Sequence, residues 1–146
     1  MIHFVKGNMF ESDADALVNT VNTVGVMGAG VALAFKKQYP KNFSEYKIAC
    51  DNGELKTGSI LVVKENDGKT IINFPTKQHW KNGSEYEYIE SGLKALRNEL
   101  DKGNIRSIAI PPLGCGLGGL QWTKVKEMIE KELGSSETII NVYEPQ

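Results

Sequence analysis

The stretch 16-ALVNTVNTVGVMGAGVALAFKKQYP-40 decides the fold. Its first six residues, Ala16–Val21, are apolar enough to form a short buried strand, and Val31–Gln38 has the pattern of a helix. The loop between them, Asn22–Gly30, contains three glycines, which allow a backbone to approach a ligand closely. A buried strand that leads through a flexible loop into a helix indicates an α/β domain.

A second stretch near the C-terminus has the same organisation. Ser107–Ile110 is predicted as a buried strand, Leu113–Leu120 as a glycine-rich loop, and Trp122–Leu133 as a helix that Gly134 ends. Ligands of open α/β sheets bind outside the carboxyl ends of strands, where helix N-termini offer free N–H groups to an anion. Two facing loops of this kind would hold a diphosphate, unless each is only a tight turn. Neither is followed by GKS or GKT, which disfavours nucleoside triphosphate hydrolysis.

The remaining segments continue the alternation of strands and helices. A capping box of Ser84 and Glu87 is predicted to open one helix, and the turn Asn66–Gly68 indicates a hairpin. The other predicted elements are strands at Ile2–Lys6, Ser59–Val63, Thr70–Phe74 and Thr138–Tyr143 and a helix at Lys41–Asp51. The hairpin and the isolated first strand argue against a purely parallel sheet. We therefore predict a three-layer α/β/α domain with a central mixed sheet of about six strands.

Composition limits the function classes. A chain of 146 residues is expected to form one domain, residues 1–146, and its end directly after a strand is compatible with the N-terminal part of a longer protein. A net charge of −1 argues against a protein that holds duplex DNA by its phosphates alone, so a nucleic acid would need a local pocket. Cys50 and Cys115 lack metal-ligand spacing, which predicts no metal site and a reduced, cytoplasmic location. No signal peptide and no apolar run of ~18 residues is present, so no membrane association is expected.

Three motifs resemble those of a known family. The stretch 16–40 resembles the first ligand loop of a macrodomain, and PPLGCGLGGLQW (111–122) resembles its second, phosphate-clamping loop. Between them, NFPTKQHW (73–80) resembles the segment that carries a lysine in one branch of the family. That branch contains the human hydrolase acting on ADP-ribosylated glutamate and the bacterial DarG antitoxins, which remove ADP-ribose from thymidine bases in DNA. The likeness covers essentially the whole chain.

The resemblance implies a set of site residues. It implies ADP-ribose as ligand and product, with no cofactor. The adenine contacts would be Gly7, Asn8 and Met9, where Asn8 replaces the Asp of many macrodomains, and Asn19 and Asn22 would line the distal ribose. The other implied residues are the ligand-binding Gly28, Ala29, Gly30, Val31, Thr76, Pro112, Leu113, Gly114, Cys115, Gly116, Leu117 and Gly118 and the catalytic Lys77.

A lysine is a chemically reasonable catalyst here. Glycosidic bonds are usually cleaved between two carboxylates, and no suitably placed acidic pair is visible near either loop. A neutral lysine amine can instead attack the anomeric carbon and form an imine-type intermediate that water resolves. In the glutamate-linked hydrolase the second loop resembles GCGLD, whose Asp assists the lysine, whereas Gly118 stands here. The base that activates the water is left open among His79, a bound water and the substrate's own phosphate.

We expect a lysine-dependent ADP-ribosyl glycohydrolase that frees thymidine in single-stranded DNA from ADP-ribose, as a monomeric antitoxin to a DNA ADP-ribosyltransferase toxin. Lys77, His79, Trp80 and Lys81 suit a flexible single strand, because they combine basic and aromatic side chains. The alternatives are a module that only binds ADP-ribose, a hydrolase of protein-linked ADP-ribose, and a phosphatase for ADP-ribose 1″-phosphate. Cys115 is a weak candidate nucleophile, since no His or Asp is placed in sequence to activate it.

Overall fold

Six strands form one sheet with helices on both faces. The computed structural model describes residues 1–146. Its elements are β1 (Ile2–Val5), β2 (Ala16–Val21), α1 (Gly30–Gln38), α2 (Pro40–Asp51), β3 (Leu61–Lys64), β4 (Thr70–Pro75), α3 (Tyr86–Leu100), β5 (Ser107–Ile110), α4 (Trp122–Leu133) and β6 (Ile139–Tyr143), with one 3₁₀ turn at Met9–Glu11. The strand order is β1-β6-β5-β2-β4-β3. The predicted three-layer α/β/α architecture with a mixed six-stranded sheet is confirmed.

Only the hairpin makes the sheet mixed. β3 runs antiparallel to β4, and all the other neighbours are parallel. The turn between β3 and β4 closes where the Gly68 N–H donates to the Glu65 carbonyl. The first strand was predicted to be isolated, and this was wrong, because β1 pairs in parallel with β6 at the sheet edge. The pairing of two parallel strands that are separated by most of the chain leaves no local signal in the sequence.

The sheet separates two apolar layers. Alternate side chains of β2 point to opposite faces: Ala16 and Val18 join the core under α3 and α4, while Leu17 and Val21 pack towards α1 and α2. Helix α3 buries one face, because Ile89, Leu93, Leu96 and Leu100 repeat at helical spacing and are all buried. No helix in the structure combines the length and the hydropathy needed to cross a membrane.

One local prediction was wrong. The capping box does not form: α3 begins at Tyr86 after Glu85, without a side-chain cap, and the buried Ser84 hydroxyl has no partner. The reason is a tertiary contact, because the Ser84 N–H donates to the carbonyl of Gly118 and the serine is held against the second glycine-rich loop.

Candidate functional site

A cavity of about 590 Å³ opens at the carboxyl ends of β2, β4 and β5. Each of these strands leads directly into one of its walls, as expected for a ligand site in an α/β sheet. The lining residues are Thr20, Val21, Asn22, Val26, Gly28, Ala29, Gly30, Val31, Ala32, Thr76, Lys77, Trp80, Pro111, Pro112, Gly114, Gly116, Leu117 and Gly118.

Asn22 and Tyr46 fix the first glycine-rich loop. The Asn22 Oδ1 accepts the N–H groups of Val24 and Val26 at 3.1 and 3.3 Å, and its Nδ2 donates to the Val26 carbonyl at 2.8 Å. The fully buried Tyr46 hydroxyl lies 2.7 Å from the same Oδ1 and 2.9 Å from the Asn22 carbonyl. Burial raises the pKa of Tyr46, so this hydroxyl stays a donor. Asn22 therefore holds the loop in shape, and one Nδ2 hydrogen remains for a ligand.

The second glycine-rich loop is folded tightly on itself. Gly114 has a φ of +72°, and its carbonyl accepts the Leu120 N–H at 2.9 Å. A Cβ added at Gly118 would lie 2.3 Å from the Ser84 Oγ and 2.4 Å from the Gly114 carbonyl oxygen. Only glycine fits at position 118 in this backbone, because real Cβ atoms do not approach other atoms so closely. The structure thus gives a steric reason for the absence of the Asp of the glutamate-linked hydrolases.

Lys77 and its neighbour Gln78 connect the loop after β4 to the two glycine-rich loops. Lys77 follows β4, and its Nζ donates to the Leu117 carbonyl of the second loop at 3.2 Å. The next residue, Gln78, accepts both the N–H and the hydroxyl of Thr23 from the first loop, at 3.1 and 2.9 Å. The lysine is therefore held at the mouth of the cavity between the two loops predicted to bind a diphosphate.

Lys77 is the only charged residue that lines the cavity. The lining contains no carboxylate, so the two-carboxylate chemistry of ordinary glycosidases has no groups here. The N-terminus of α1 also faces this space, because Gly30 and Val31 line it, and Ala29 caps that helix without a side-chain bond. A cavity with one cation, free helix N–H groups and no acid suits a ligand with negative charge.

Asn19 lies beneath the cavity wall rather than on it. It is fully buried, and its Nδ2 donates to the Asn73 Oδ1 at 3.2 Å. Asn73 and Asn42 exchange a further pair of amide hydrogen bonds, at 2.8 and 3.0 Å, so that β2, β4 and α2 are joined. The Oδ1 of Asn19 has no partner. A role of Asn19 at the distal ribose stays a prediction.

Cys115 and His79 are poorly suited to the catalytic roles considered for them. The Cys115 thiol packs against the core under α3 and α4 and donates to the Leu113 carbonyl at 3.4 Å, and burial raises its pKa to about 11. A protonated thiol is a poor nucleophile. The His79 Nδ1 accepts the Lys81 N–H at 3.1 Å, and His79 does not line the cavity.

The residues predicted near adenine lie outside the cavity. Asn8 caps the 3₁₀ turn, because its Oδ1 accepts the Phe10 N–H at 3.0 Å, and Met9 is buried. The Gly7 carbonyl accepts a hydrogen bond from Gln146. Met9 and Val31 pack against the same core cluster, which places the turn beside the start of α1. The adenine assignment stays a prediction.

Most of the predicted site residues are brought together by the fold. Those that line the cavity are Asn22, Gly28, Ala29, Gly30, Val31, Thr76, Lys77, Pro112, Gly114, Gly116, Leu117 and Gly118. Those that do not are Gly7, Asn8, Met9, Asn19, Leu113 and Cys115. Trp80 was predicted only as a contact for DNA, yet it lines the cavity. The lining residues that were not predicted are Thr20, Val21, Val26, Ala32 and Pro111. An aromatic residue three positions beyond the lysine was the available signal for Trp80.

The fold and this cavity define the class of protein, and a comparison with family models agrees. The model described as "Macro domain" matches residues 18–129, and the chain belongs to this family. The matched range contains all three cavity loops.

The nearer relatives come from bacteria. A Thermus aquaticus protein named DNA ADP-ribosyl glycohydrolase is 48% identical over 149 residues, which cover 99% of this chain and 41% of the relative. The solved macrodomain of Thermus aquaticus DarG gives a TM-score of 0.94 at 48% identity, with 99% of both chains covered. Thermosipho africanus DarTG in complex with ADP-ribose gives 0.93 at 39% identity, over 99% of this chain and 41% of that one. The chain thus spans about two fifths of the curated relative's length.

Proposed function

We propose that this domain is an ADP-ribosyl glycohydrolase that removes ADP-ribose from thymidine bases in single-stranded DNA, with Lys77 as the nucleophile or electrostatic catalyst. The observation that carries the proposal is the position of Lys77, the only charged residue in a cavity walled by two glycine-rich loops. In the cell it would act in the cytoplasm as the antitoxin to a DNA ADP-ribosyltransferase.

The relatives support this assignment. The similar Thermus protein is named for the release of ADP-ribose from DNA, and the similar Thermosipho structure was solved with ADP-ribose bound. A Thermosipho relative, 38% identical over 162 residues, is named a fusion of a DNA ADP-ribosyl transferase and a DNA ADP-ribosyl glycohydrolase. A transferase and a glycohydrolase in one chain fit a pair of opposing activities.

In the proposed chemistry the Lys77 side chain binds the ligand as an ammonium and attacks as the amine after it gives up one proton. Its nitrogen attacks the anomeric carbon of the distal ribose, the bond from that carbon to the thymine nitrogen breaks, and the departing base takes up the proton that the lysine releases. Opening of the sugar ring then gives an imine between the lysine and the anomeric carbon. Water then adds to the imine formed with the ring-opened sugar, and cleavage of the carbon–nitrogen bond restores the amine and releases ADP-ribose. The Leu117 carbonyl, which accepts a hydrogen bond from Nζ, positions the amine. The glycine-rich loops hold the diphosphate through backbone N–H groups.

The test compares two substrates with three proteins. A thymidine-linked ADP-ribosylated oligonucleotide and a glutamate-linked ADP-ribosyl peptide are incubated with the parent chain, with Lys77→Ala and with Lys131→Ala, an exposed lysine on α4 that serves as control. We expect the parent and Lys131→Ala to release ADP-ribose from the oligonucleotide. Lys77→Ala is expected to lose at least about 100-fold in rate.

The other outcomes select the alternatives. Binding of ADP-ribose without release from either substrate would identify a binding module. Release from the peptide alone would identify a hydrolase of protein-linked ADP-ribose. Unchanged release from the oligonucleotide by Lys77→Ala would keep the activity and refute the mechanism.

A further inference from the structure

The rim of the cavity carries an exposed apolar surface that the binding of ADP-ribose does not explain. Seven large apolar side chains of the chain are exposed, and three of them, Val26, Trp80 and Leu117, line the cavity. Trp80 is 50% exposed and Leu117 is 73% exposed. Scattered exposed apolar residues are ordinary, but a cluster around a cavity indicates a binding surface.

Trp80 is held in a defined position. The segment His79–Asn82 forms a turn in which the Asn82 N–H donates to the His79 carbonyl at 3.0 Å and the Lys81 N–H donates to the His79 Nδ1 at 3.1 Å. The His79 ring lies 5.2 Å from the Trp80 ring at an interplanar angle of 31°, which supports the indole from one side. An aromatic side chain ordered in this way stacks a planar group at low entropic cost.

The charge around Trp80 favours a nucleic acid. The exposed Lys81 places its Nζ 5.2 Å from the centre of the Trp80 ring. Segment 68–84, which carries Lys77, Trp80 and Lys81, contains no Asp or Glu. The Lys81 ammonium lies over the indole, and its flexible side chain can leave the ring when a base stacks there. A cation and an aromatic ring in contact match the residue types by which proteins bind single-stranded nucleic acids, in which bases stack and cations meet phosphates.

Trp80 also lies near the proposed catalytic lysine. Lys77 and Trp80 line the same cavity from the same loop, three residues apart. An anomeric carbon next to the lysine amine therefore carries its attached group within the cavity that the indole lines. A thymine ring offers a face for stacking, whereas the carboxylate of a glutamate does not.

We infer that the Trp80 ring is the platform on which the ADP-ribosylated nucleobase stacks, and that it makes the site prefer nucleic acid over protein-linked ADP-ribose. This inference rests on the proposed function. It names Trp80 as a specificity-determining residue rather than a catalytic one, with Lys81 as the partner of a neighbouring phosphate. Because Trp80 is half exposed, its replacement removes a binding surface without opening a hole in the core.

The test measures affinities with the Lys77→Ala protein, so that the substrate is not consumed during the titration. The ligands are free ADP-ribose, the thymidine-linked ADP-ribosylated oligonucleotide and the glutamate-linked ADP-ribosyl peptide. Adding Trp80→Ala is expected to weaken oligonucleotide binding roughly 5- to 150-fold, as the loss of one stacked base would. Binding of ADP-ribose and of the peptide should not change, and Trp80→Phe should restore most of the oligonucleotide affinity. Ile48→Ala, which removes an exposed apolar side chain of α2, is the control with no expected effect.

Turnover by the chain with Lys77 intact gives a second measurement. Trp80→Ala should raise the KM for the oligonucleotide and leave kcat nearly unchanged, because stacking contributes equally to the ground state and the transition state. The inference is overturned if oligonucleotide affinity is unaffected, or if all three ligands lose affinity equally. Failure of the proposed function would appear separately, as no release from the oligonucleotide by the parent chain, and the affinities would still decide the role of Trp80.

Discussion

Gly118→Asp tests how the second loop is built. The substitution introduces the carboxylate that the sequence analysis noted in the glutamate-linked hydrolases. If the second loop of this chain could adopt the form that it has in the glutamate-linked hydrolases, the new carboxylate would supply a base next to Lys77. The geometry of this chain predicts damage to the loop instead, and Gly116→Asp provides a matched control two residues away.

The expected magnitudes follow from the space around each glycine. A Cβ at Gly118 would lie 2.3 Å from the Ser84 Oγ, which can rotate away, and 2.4 Å from the Gly114 carbonyl oxygen, which cannot move freely because it accepts the Leu120 N–H. Overpacking of this kind costs about 1–3 kcal/mol. Each kcal/mol lowers Tm by about 2–4 °C in a domain of this size. A Cβ at Gly116 would meet no atom within 4 Å.

The two variants should therefore fail in different ways. Thermal unfolding without ligand should show a lower Tm for Gly118→Asp and an unchanged Tm for Gly116→Asp. In calorimetry with ADP-ribose, the Gly116→Asp carboxylate should weaken binding by about 1–3 kcal/mol, the repulsion of two charges ~5 Å apart at intermediate dielectric. That loss should shrink in high salt, because salt screens exposed charges. Gly118→Asp should also weaken ADP-ribose binding, because it distorts the loop. The loss that this distortion causes should persist in high salt.

A double variant isolates the cause. Adding Ser84→Ala removes the movable clash and leaves the backbone clash with Gly114, so it should not rescue Gly118→Asp. Parent-like Tm and ADP-ribose affinity in Gly118→Asp would refute the steric argument. Full rescue by Ser84→Ala would show that the serine alone excludes a side chain.

Two further predictions concern groups beside the cavity. Tyr46→Phe removes the hydroxyl that holds Asn22, so it should cost about 0.5–1.5 kcal/mol of stability and weaken ADP-ribose binding. Tyr39→Phe, which loses only a hydrogen bond to Asp67, is the control, and a Tyr46→Phe protein equal to it in both measurements would contradict the role of the tyrosine. Cys115 should react with iodoacetamide at pH 8 about 100-fold more slowly in the folded chain than in the urea-unfolded chain, because its pKa rises from 9.0 to about 11 and only the thiolate reacts. Its rate should climb with pH up to about 11, as followed by mass spectrometry, and equal folded and unfolded rates at pH 8 would exclude the shift.

The elements that the sequence predicted are those with local signals. The helix α3 repeats apolar residues at helical spacing, and the β3–β4 hairpin has Gly68 at a φ of +89°, a conformation that glycine adopts readily. The two glycine-rich loops were recognisable because each follows an apolar strand and precedes a helix. Such features depend on residues a few positions apart, so one sequence is enough to find them.

The features that were missed depend on contacts between distant segments. Ser84 matched a capping box, but its N–H is bound by Gly118, 34 positions away in the chain. The buried amide of Asn19 donates to Asn73, which exchanges two hydrogen bonds with Asn42, and no local pattern predicts these contacts. Most buried polar groups are paired, and the partners of an Asn cannot be read from its neighbours in the sequence.

The net charge of the chain does not show where its charged residues lie. A total of −1 indicated little attraction for nucleic acids, and all 18 carboxylates contribute to that total. None of them falls within residues 16–44, 68–84 or 102–126, the three segments that contain the cavity loops, whereas ten of the 17 basic residues do. The lining of the cavity accordingly contains Lys77 and no acidic residue. Because charges beyond about 10 Å are largely screened at physiological salt, a ligand at the cavity responds to the local arrangement and not to the total. A total charge near zero is therefore compatible with the proposed binding of a diphosphate at this cavity.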